Sequence, residues 1–345
     1  MEQKQPLLSI CILTYNRATL LKEALLSILG QATGLEELVE VIVSDNVSTD
    51  ETSKVVAELR QGAKLNVRYY KNEKNLGFDG NCLIAVERAA GRHVWLFGDD
   101  DLLADGVLKI ICRELESSPE IDVFLGEKQD FFKTINQPMK ERRVMSFDKP
   151  KVFDFRKPQV LDQYFCQNKK LIAYLNFISI IVFRRSSWLR VKGKDKYLGS
   201  GYIHVFVLQS LLWGKNPGCL KYLPAPLAQR RWGSDPAYDL EKRFLMEFQI
   251  FSQIARDVFF DEKYVWLIDD LIIRNDGFSW AVRLRISQPW RFITVNFPYL
   301  LKRFWDHPLL WLKIFPLLFV PSFILRLLRG TYRVFVKGEP VGLTE

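Results

Sequence analysis

Cysteine is sparse and unpaired. Cys11, Cys82, Cys112, Cys166 and Cys219 are scattered through 345 residues, and no CxxC occurs. That excludes a disulfide framework and a zinc ribbon, and it fits a reducing cytoplasm. Two phosphate-binding signatures are also missing. No GxGxxG follows the first apolar run and no GxxxxGK(S/T) appears anywhere, which argues against a dinucleotide-binding Rossmann domain and a P-loop NTPase. Met1 to Leu8 lacks a signal-peptide core. No repeat or dominant residue type is present. The strongest apolar run, Leu309 to Leu325, is at the short limit for a spanning helix and is broken by Lys313, Pro316 and Pro321. What is there is a globular composition, 48% hydrophobic and 13% aromatic, long enough for one large domain or two smaller ones.

The first 125 residues alternate two periodicities. Leu8 to Leu13, Val39 to Val43, Asn66 to Tyr70, Val94 to Phe97 and Asp122 to Leu125 read as strands. Between them lie helical patterns, the clearest being Ala18 to Leu29, with apolar residues at 20, 21, 24, 25, 28 and 29. Ser48 or Thr49 caps a helix whose buried face is Val55, Val56 and Leu59, and Asp105 to Leu115 is another helix. This alternation predicts an α/β fold with a mostly parallel sheet and helices on both faces. Each strand ends in a polar loop: Thr14 to Arg17, Asp45-Asn46, Asn75 to Asn81, and Asp99 to Asp101. Open α/β sheets bind nucleotides at such strand ends.

The loop Gly98-Asp99-Asp100-Asp101 holds three consecutive carboxylates after a buried strand. They repel one another unless a cation neutralises them. Hard oxygen donors suit Mg²⁺ or Mn²⁺, which bind one or two carboxylates plus substrate phosphates. The other reading of these residues is a solvated acidic turn capping the next helix.

Four motifs stand in order: Ser9 to Arg17, Val43 to Thr52, Asn75-Leu76-Gly77 and Gly98 to Asp101. Together they resemble the family 2 glycosyltransferases of GT-A fold over residues 8 to 125. The wording of Ser44-Asp45-Asn46 and Asp99 to Leu103 is similar to the abequosyltransferase-like branch of bacterial surface-polysaccharide enzymes. The resemblance implies that Thr14, Tyr15, Asn16 and Arg17 line the nucleotide, with Asn75 and Gly77 nearby. It implies that Asp45 reads the base, that Asp99 and Asp100 lie near the ribose and phosphates, and that Asp101, with Asp99, binds the metal. The remaining alternatives are a core aromatic for Tyr15 and a turn residue for Asp45.

Beyond residue 125 the patterns weaken. Glu127 to Arg156 reads as an irregular connection or flap, Gln159 to Asn168 as a helix, and Ile178 to Phe183 as a strand. In the resembled family an acid following such a strand is the catalytic base. Leu198 to Phe206 contains none, and His204 falls in its place. A histidine can serve as a general base near neutral pH, the alternative for His204 being a helix-surface or core histidine, and Asp195 and Asp235 are the fallback candidates. Gln229-Arg230-Arg231-Trp232 resembles a QxxRW motif one residue short. It places Arg230, Arg231 and Trp232 at the diphosphate or the acceptor, unless it is a basic surface loop.

The formal net charge is +9, and from Arg283 to Lys337 ten lysines and arginines face one acid, Asp306. That segment accounts for the whole excess. Aromatics interleave with the basic residues, which suits an element lying in a membrane interface. A packed helical lid is the alternative, and so much apolar area fits nucleic acid poorly. The expected organisation is a GT-A domain at residues 1–235, with a nucleotide-binding half at 1–125 and an acceptor-side half at 126–235. A helical region at 236–345 carries the membrane-associating segment 286–337. The resemblance implies metal-dependent, inverting transfer of a sugar from a nucleotide-diphosphate sugar to a saccharide acceptor, and the C-terminal segment, docking at a membrane, points to one linked to polyprenyl diphosphate. This would occur in the cytoplasm, peripherally on the inner face of the cell membrane, with no nucleic-acid partner. A nucleotidyltransferase and a non-catalytic membrane adaptor are the rival readings.

Overall fold

A computed structural model describes residues 5–139, 143–233, 240–259 and 261–335, with the side chains of 240–247, 276 and 329–335 outside that description. The chain divides into two compact units, Met1–Ser234 and Asp235–Glu345.

The first unit is built on one sheet. Strands β1 (Leu8–Thr14), β2 (Val39–Asp45), β3 (Asn66–Lys71) and β4 (His93–Gly98) alternate with helices α1 (Ala18–Leu29), α2 (Thr52–Gln61) and α3 (Gly77–Arg88). Every residue of β1 and β2 is buried, as continuous apolar strands covered on both faces must be. α1 turns Leu21, Ala24, Leu25 and Ile28 inward, the spacing of one helical face. β3-β2-β1-β4 pair in parallel, and the register sets Thr14 opposite Asp45 and Leu13 opposite Gly98. All four carboxyl ends therefore open on one edge, and the polar loops meet there.

The chain continues through β5 (Leu102–Leu103), α4 (Val107–Ser117), β6 (Val123–Phe132), β7 (Lys151–Asp154), α5 (Pro158–Gln167), β8 (Ile181–Arg184), α6 (Arg185–Arg190), α7 (Ile203–Trp213) and β9 (Cys219–Trp232). β8 joins the two halves, antiparallel to both β4 and β6. β9 runs parallel to β6 and antiparallel to β5 and β7.

Three expectations for this half need correction. Glu127 to Arg156 is not an irregular flap throughout. β6 runs on to Phe132, and β7 adds a further strand. The charges that hide the strand pattern are paired internally. Glu127 accepts from Val144 N (2.7 Å), Met145 N (3.1 Å) and the Tyr222 hydroxyl. Gly126 lies where the β6–β9 register shifts, and a Cβ there would come within 2.2 Å of the Leu227 side chain. The strand expected at Ile178 to Phe183 begins only at Ile181, after a 3-10 turn at Ile178–Ile180, because Ser179 is drawn aside to Asp101. Gln229 to Trp232 is no loop but the end of β9.

The second unit is helical: α8 (Leu240–Val258), α9 (Glu262–Ile272), α10 (Phe278–Ser287), α11 (Pro289–Arg291), α12 (Phe297–Phe304) and α13 (Ser322–Phe335), joined by π and 3-10 turns. The apolar run from Leu309 is divided between such turns before α13 begins. No helix among the described residues is long and apolar enough to cross a membrane.

Candidate active site

The strand-end loops are stitched to one another. Asn16 adopts a left-handed backbone (φ 54°). Its N–H donates to Ser48 Oγ (2.8 Å), and its Oδ1 accepts from Thr49 N (2.7 Å). Asn46 Nδ2 donates to Asn75 Oδ1 (2.7 Å), and Asn75 Oδ1 accepts from Gly77 N (2.9 Å). Gly77 has φ +67°, a conformation glycine adopts without strain. Tyr15 is 47% exposed at this edge, which rules out the core-aromatic alternative.

The β4 loop carries the charge. Asp99 and Asp101 are buried and Asp100 is partly so. Arg17 Nη1 reaches Asp99 Oδ1 at 3.1 Å and Asp100 Oδ2 at 3.5 Å. Burial raises the pKa of Asp99 to about 6; Arg17 opposes the rise and Asp100 adds to it. Asp101 is likewise pushed well above the carboxylate range by burial and by Asp100. It accepts from Ser179 Oγ (2.6 Å) and from Arg231 N (3.2 Å). The acidic run is therefore not a solvated turn. Among the described residues, no three or more His, Cys, Asp or Glu converge on a metal position. Two desolvated carboxylates on one loop nonetheless have the hard oxygen donors that a divalent cation would require.

Several residues do other work than expected. Asp45 is fully buried. Its carboxylate accepts from Ser48 N (2.7 Å) and from the Tyr69 hydroxyl, so it holds the turn and presents no open oxygen to a base. Arg231 is spent inside the protein. Nε donates to Asp100 O (2.9 Å), and the remaining nitrogens reach Lys133 O and Glu23. Arg230 is the better placed of the pair. Asp130 holds it bidentately (2.8 and 3.1 Å), and it packs over Phe177 and Trp232. Trp232 is partly exposed, as a stacking residue must be.

His204 is not on a helix surface. It is buried in the first turn of α7, beside Phe78 and Tyr202 and 3.5 Å from Asn176 O. Burial lowers its pKa to about 4. Asp195 is exposed on a 3-10 turn. Asp235 lies outside the described residues.

Four supporting residues belong to no motif in the sequence. Asp79, from α3, accepts from Gly201 N (2.7 Å) and Ile203 N (3.1 Å) and so fixes the loop before His204. Ser179 anchors Asp101. Lys128 and Asp130 form a buried pair behind Arg230. The one signal in the sequence was the alternation Lys128, Asp130 beside aromatic residues.

Residues 9–178 match the family described as Glycosyl transferase family 2. Those residues, about half of the chain, form a domain of that family. The chain is a glycosyltransferase of polysaccharide biosynthesis with a GT-A fold, and the nucleotidyltransferase and adaptor readings fall. The chain is similar to abequosyltransferase RfbV of Salmonella typhimurium, with 28% identity over 73% of this chain and 75% of that protein. It is also similar to the GalNAc(5)-diNAcBac-PP-undecaprenol beta-1,3-glucosyltransferase of Campylobacter jejuni, with 34% identity over 32% of this chain and 34% of the relative. Among solved structures, S. aureus TarS 1-349 in complex with UDP-GlcNAc matches with a TM-score of 0.61 at 15% identity, over 85% of this chain and 80% of the other. The mannosyltransferase PcManGT from Pyrobaculum calidifontis, in complex with GDP-Man and Mn²⁺, matches with a TM-score of 0.55 at 14% identity, over 96% and 82%.

Proposed function

We propose that this glycosyltransferase moves a sugar from a nucleotide-diphosphate sugar to a hydroxyl of a polyprenyl-diphosphate-linked saccharide, with inversion and with Mn²⁺ or Mg²⁺. The observation that carries the donor side is the pair of desolvated carboxylates, Asp99 and Asp101, at the strand-end edge. Their burial disfavours the charged form, and a divalent cation held by them would offset that penalty. When bound, the cation supplies Lewis-acid stabilisation of the leaving diphosphate. Asp101 and Asp99 hold it. Asp100 and Arg17 border the same cluster, Arg17 offering positive charge to the phosphates. Tyr15 and Thr14 line the nucleotide, and Asn16, Asp45, Asn75 and Gly77 set the shape of the cleft around it. Arg230, backed by Asp130, faces the diphosphate or the acceptor, and Trp232 offers a face for sugar stacking. His204 is the candidate base, with Asp79 positioning its loop.

The acceptor-side half would be residues 126–235. A lipid-linked acceptor brings the enzyme to the inner face of the cell membrane, and the basic segment 286–337 supplies the attraction. The Campylobacter relative, whose name includes an undecaprenol-linked saccharide, supports that acceptor class.

The test is a thermal-shift panel of nucleotide-sugars with and without Mn²⁺, run on wild type and Asp101→Asn. The wild type should be stabilised by one nucleotide-sugar only when Mn²⁺ is present. Asp101→Asn should fold, lose that metal-dependent shift and lose transfer. Wild-type turnover in the variant sinks the metal assignment.

A further inference from the structure

The second unit contains a corner held together by a buried cation. Arg285, on α10, is only 9% exposed. It donates from Nε to Leu317 O (3.1 Å), from Nη1 to Ser322 Oγ (2.9 Å) and from Nη2 to Val320 O (3.5 Å). Three groups spanning residues 317–322 are thus pinned by one guanidinium, and α13 starts from that point. Leu317 and Leu325 point inward. Phe319, Phe323 and Leu327 point outward and are 72%, 71% and 72% exposed.

Phe319 ends the turn before α13 with its ring edge-on to Phe315, and Phe323 and Leu327 follow four residues apart on α13 itself; side chains so exposed are costly in water. The surroundings are basic. Arg291, Lys302, Lys313 and Arg326 are exposed, and one acid, Asp306, occurs between Arg283 and Lys337. An exposed apolar turn and helix start, neither long nor apolar enough to cross a membrane and both flanked by cations, have the composition of an element lying in the plane of a lipid interface.

We infer that the corner at residues 317–322 and the first turns of α13 are a lipid-docking element that inserts Phe319, Phe323 and Leu327 into an anionic bilayer. Arg285 is the internal latch that presents them. Charge complementarity selects this occupant. A second copy of the chain would bring the same positive field against itself, whereas an anionic bilayer is attracted by each exposed cation. The inference rests on the membrane side of the proposed function, and it names the residues that enter the lipid.

The test uses the full-length protein and sedimentation with vesicles free of any saccharide-linked lipid. One set contains phosphatidylglycerol in phosphatidylcholine, the other phosphatidylcholine alone. The wild type should bind the anionic set, more weakly at high salt but not to zero. Phe319→Ser with Phe323→Ser should lose the salt-resistant part of binding, by about tenfold for each side chain. Lys313→Ser with Arg326→Ser should lose the salt-sensitive part. Both pairs replace exposed side chains and should keep the wild-type melting temperature. Wild-type binding in the phenylalanine pair overturns the inference, as does a wild type that ignores anionic vesicles. A fall in self-association in the phenylalanine pair, with vesicle binding unchanged, assigns the face to a second copy instead. Nucleotide-sugar binding is followed on the same variants. If it is absent while vesicle binding holds, the transfer reading fails and the lipid-docking element stands.

Discussion

At the scale of single residues, environment decides what a side chain can do. A histidine with its ordinary pKa would titrate near neutrality, and a rate that depends on it as a base would rise with pH through the imidazole range. Burial lowers the pKa of His204 to about 4, which moves that limb. The imidazole is neutral throughout the working range. If Nε2 donates toward Asn176 O, then Nδ1, without a partner among the described residues, carries the lone pair. A base must be unprotonated to act, so activity governed by His204 is lost only as pH falls through about 4 to 5 and is flat above. Replacing His204 with Ala should lower kcat by roughly 10²-fold if it accepts the acceptor proton, with no new inflection between pH 6 and 8. A kcat that survives the substitution leaves His204 as a packing residue. An inflection near the ordinary imidazole value of 6.5 would mean that the ring is solvated in the working enzyme.

At the scale of elements, β6 and β9 show why half of this site was hard to read. β1, β2 and β4 were legible because apolar residues dominate them, and the acids Asp45 and Asp99 to Asp101 stand out where those strands end. β6 instead carries Glu127, Lys128 and Asp130 within the strand. Past Leu125 the apolar pattern breaks, and nothing in the sequence says that Arg230, a hundred positions on, neutralises Asp130. Burial works against the charge on Asp130, but Arg230 and Lys128 outweigh it and hold its pKa below the usual carboxylate range. Burial, and then Arg230, bring Lys128 down to about 8 against the pull of Asp130. The carboxylate is therefore the counter-charge for two cations. Asp130→Asn should destabilise the first unit by about 3 kcal/mol, because breaking a buried pair leaves charge uncompensated. Asp130→Asn with Lys128→Met removes one of those cations and should recover part of the loss. Urea midpoints of the three proteins give the comparison, and equal midpoints for wild type and Asp130→Asn would show that the cluster is solvated. Transfer should stay impaired in the double variant, since Arg230 has still lost the carboxylate that aims it.

At the scale of the whole molecule, the sequence has three histidines, and the structure buries all of them: His93 on β4, His204 on α7 and His307 after α12. Burial, and then Arg184, lower His93 to about 4; burial alone does the same for His204. Burial lowers His307 too, with Asp270 and Asp269 opposing it. The sign follows from proton counting. Below 6.5 the unfolded chain protonates its histidines, while the folded chain keeps His93 and His204 neutral down to about 4. The unfolded state binds more protons in that window, so this part of the stability is complete above 6.5 and is lost as pH falls toward 4. The raised carboxylates act in the opposite sense. Asp99 keeps its proton to about 6 only in the folded state, so its contribution declines as pH rises. The net slope thus mixes both groups, and a difference between variants isolates the imidazole. His93→Gln removes one buried imidazole from a site where the ring packs edge-on to Phe124. At pH 7 the substitution should destabilise the first unit through lost packing. Between pH 7 and pH 5 the wild type should lose about 2 kcal/mol relative to His93→Gln, measured by urea unfolding of the two proteins in parallel. A pH-independent difference would show that His93 titrates alike in the folded and unfolded chains. The same comparison with His307→Gln reports on residues 235–345. If the two units unfold separately, it should move the second transition and leave the first where it was.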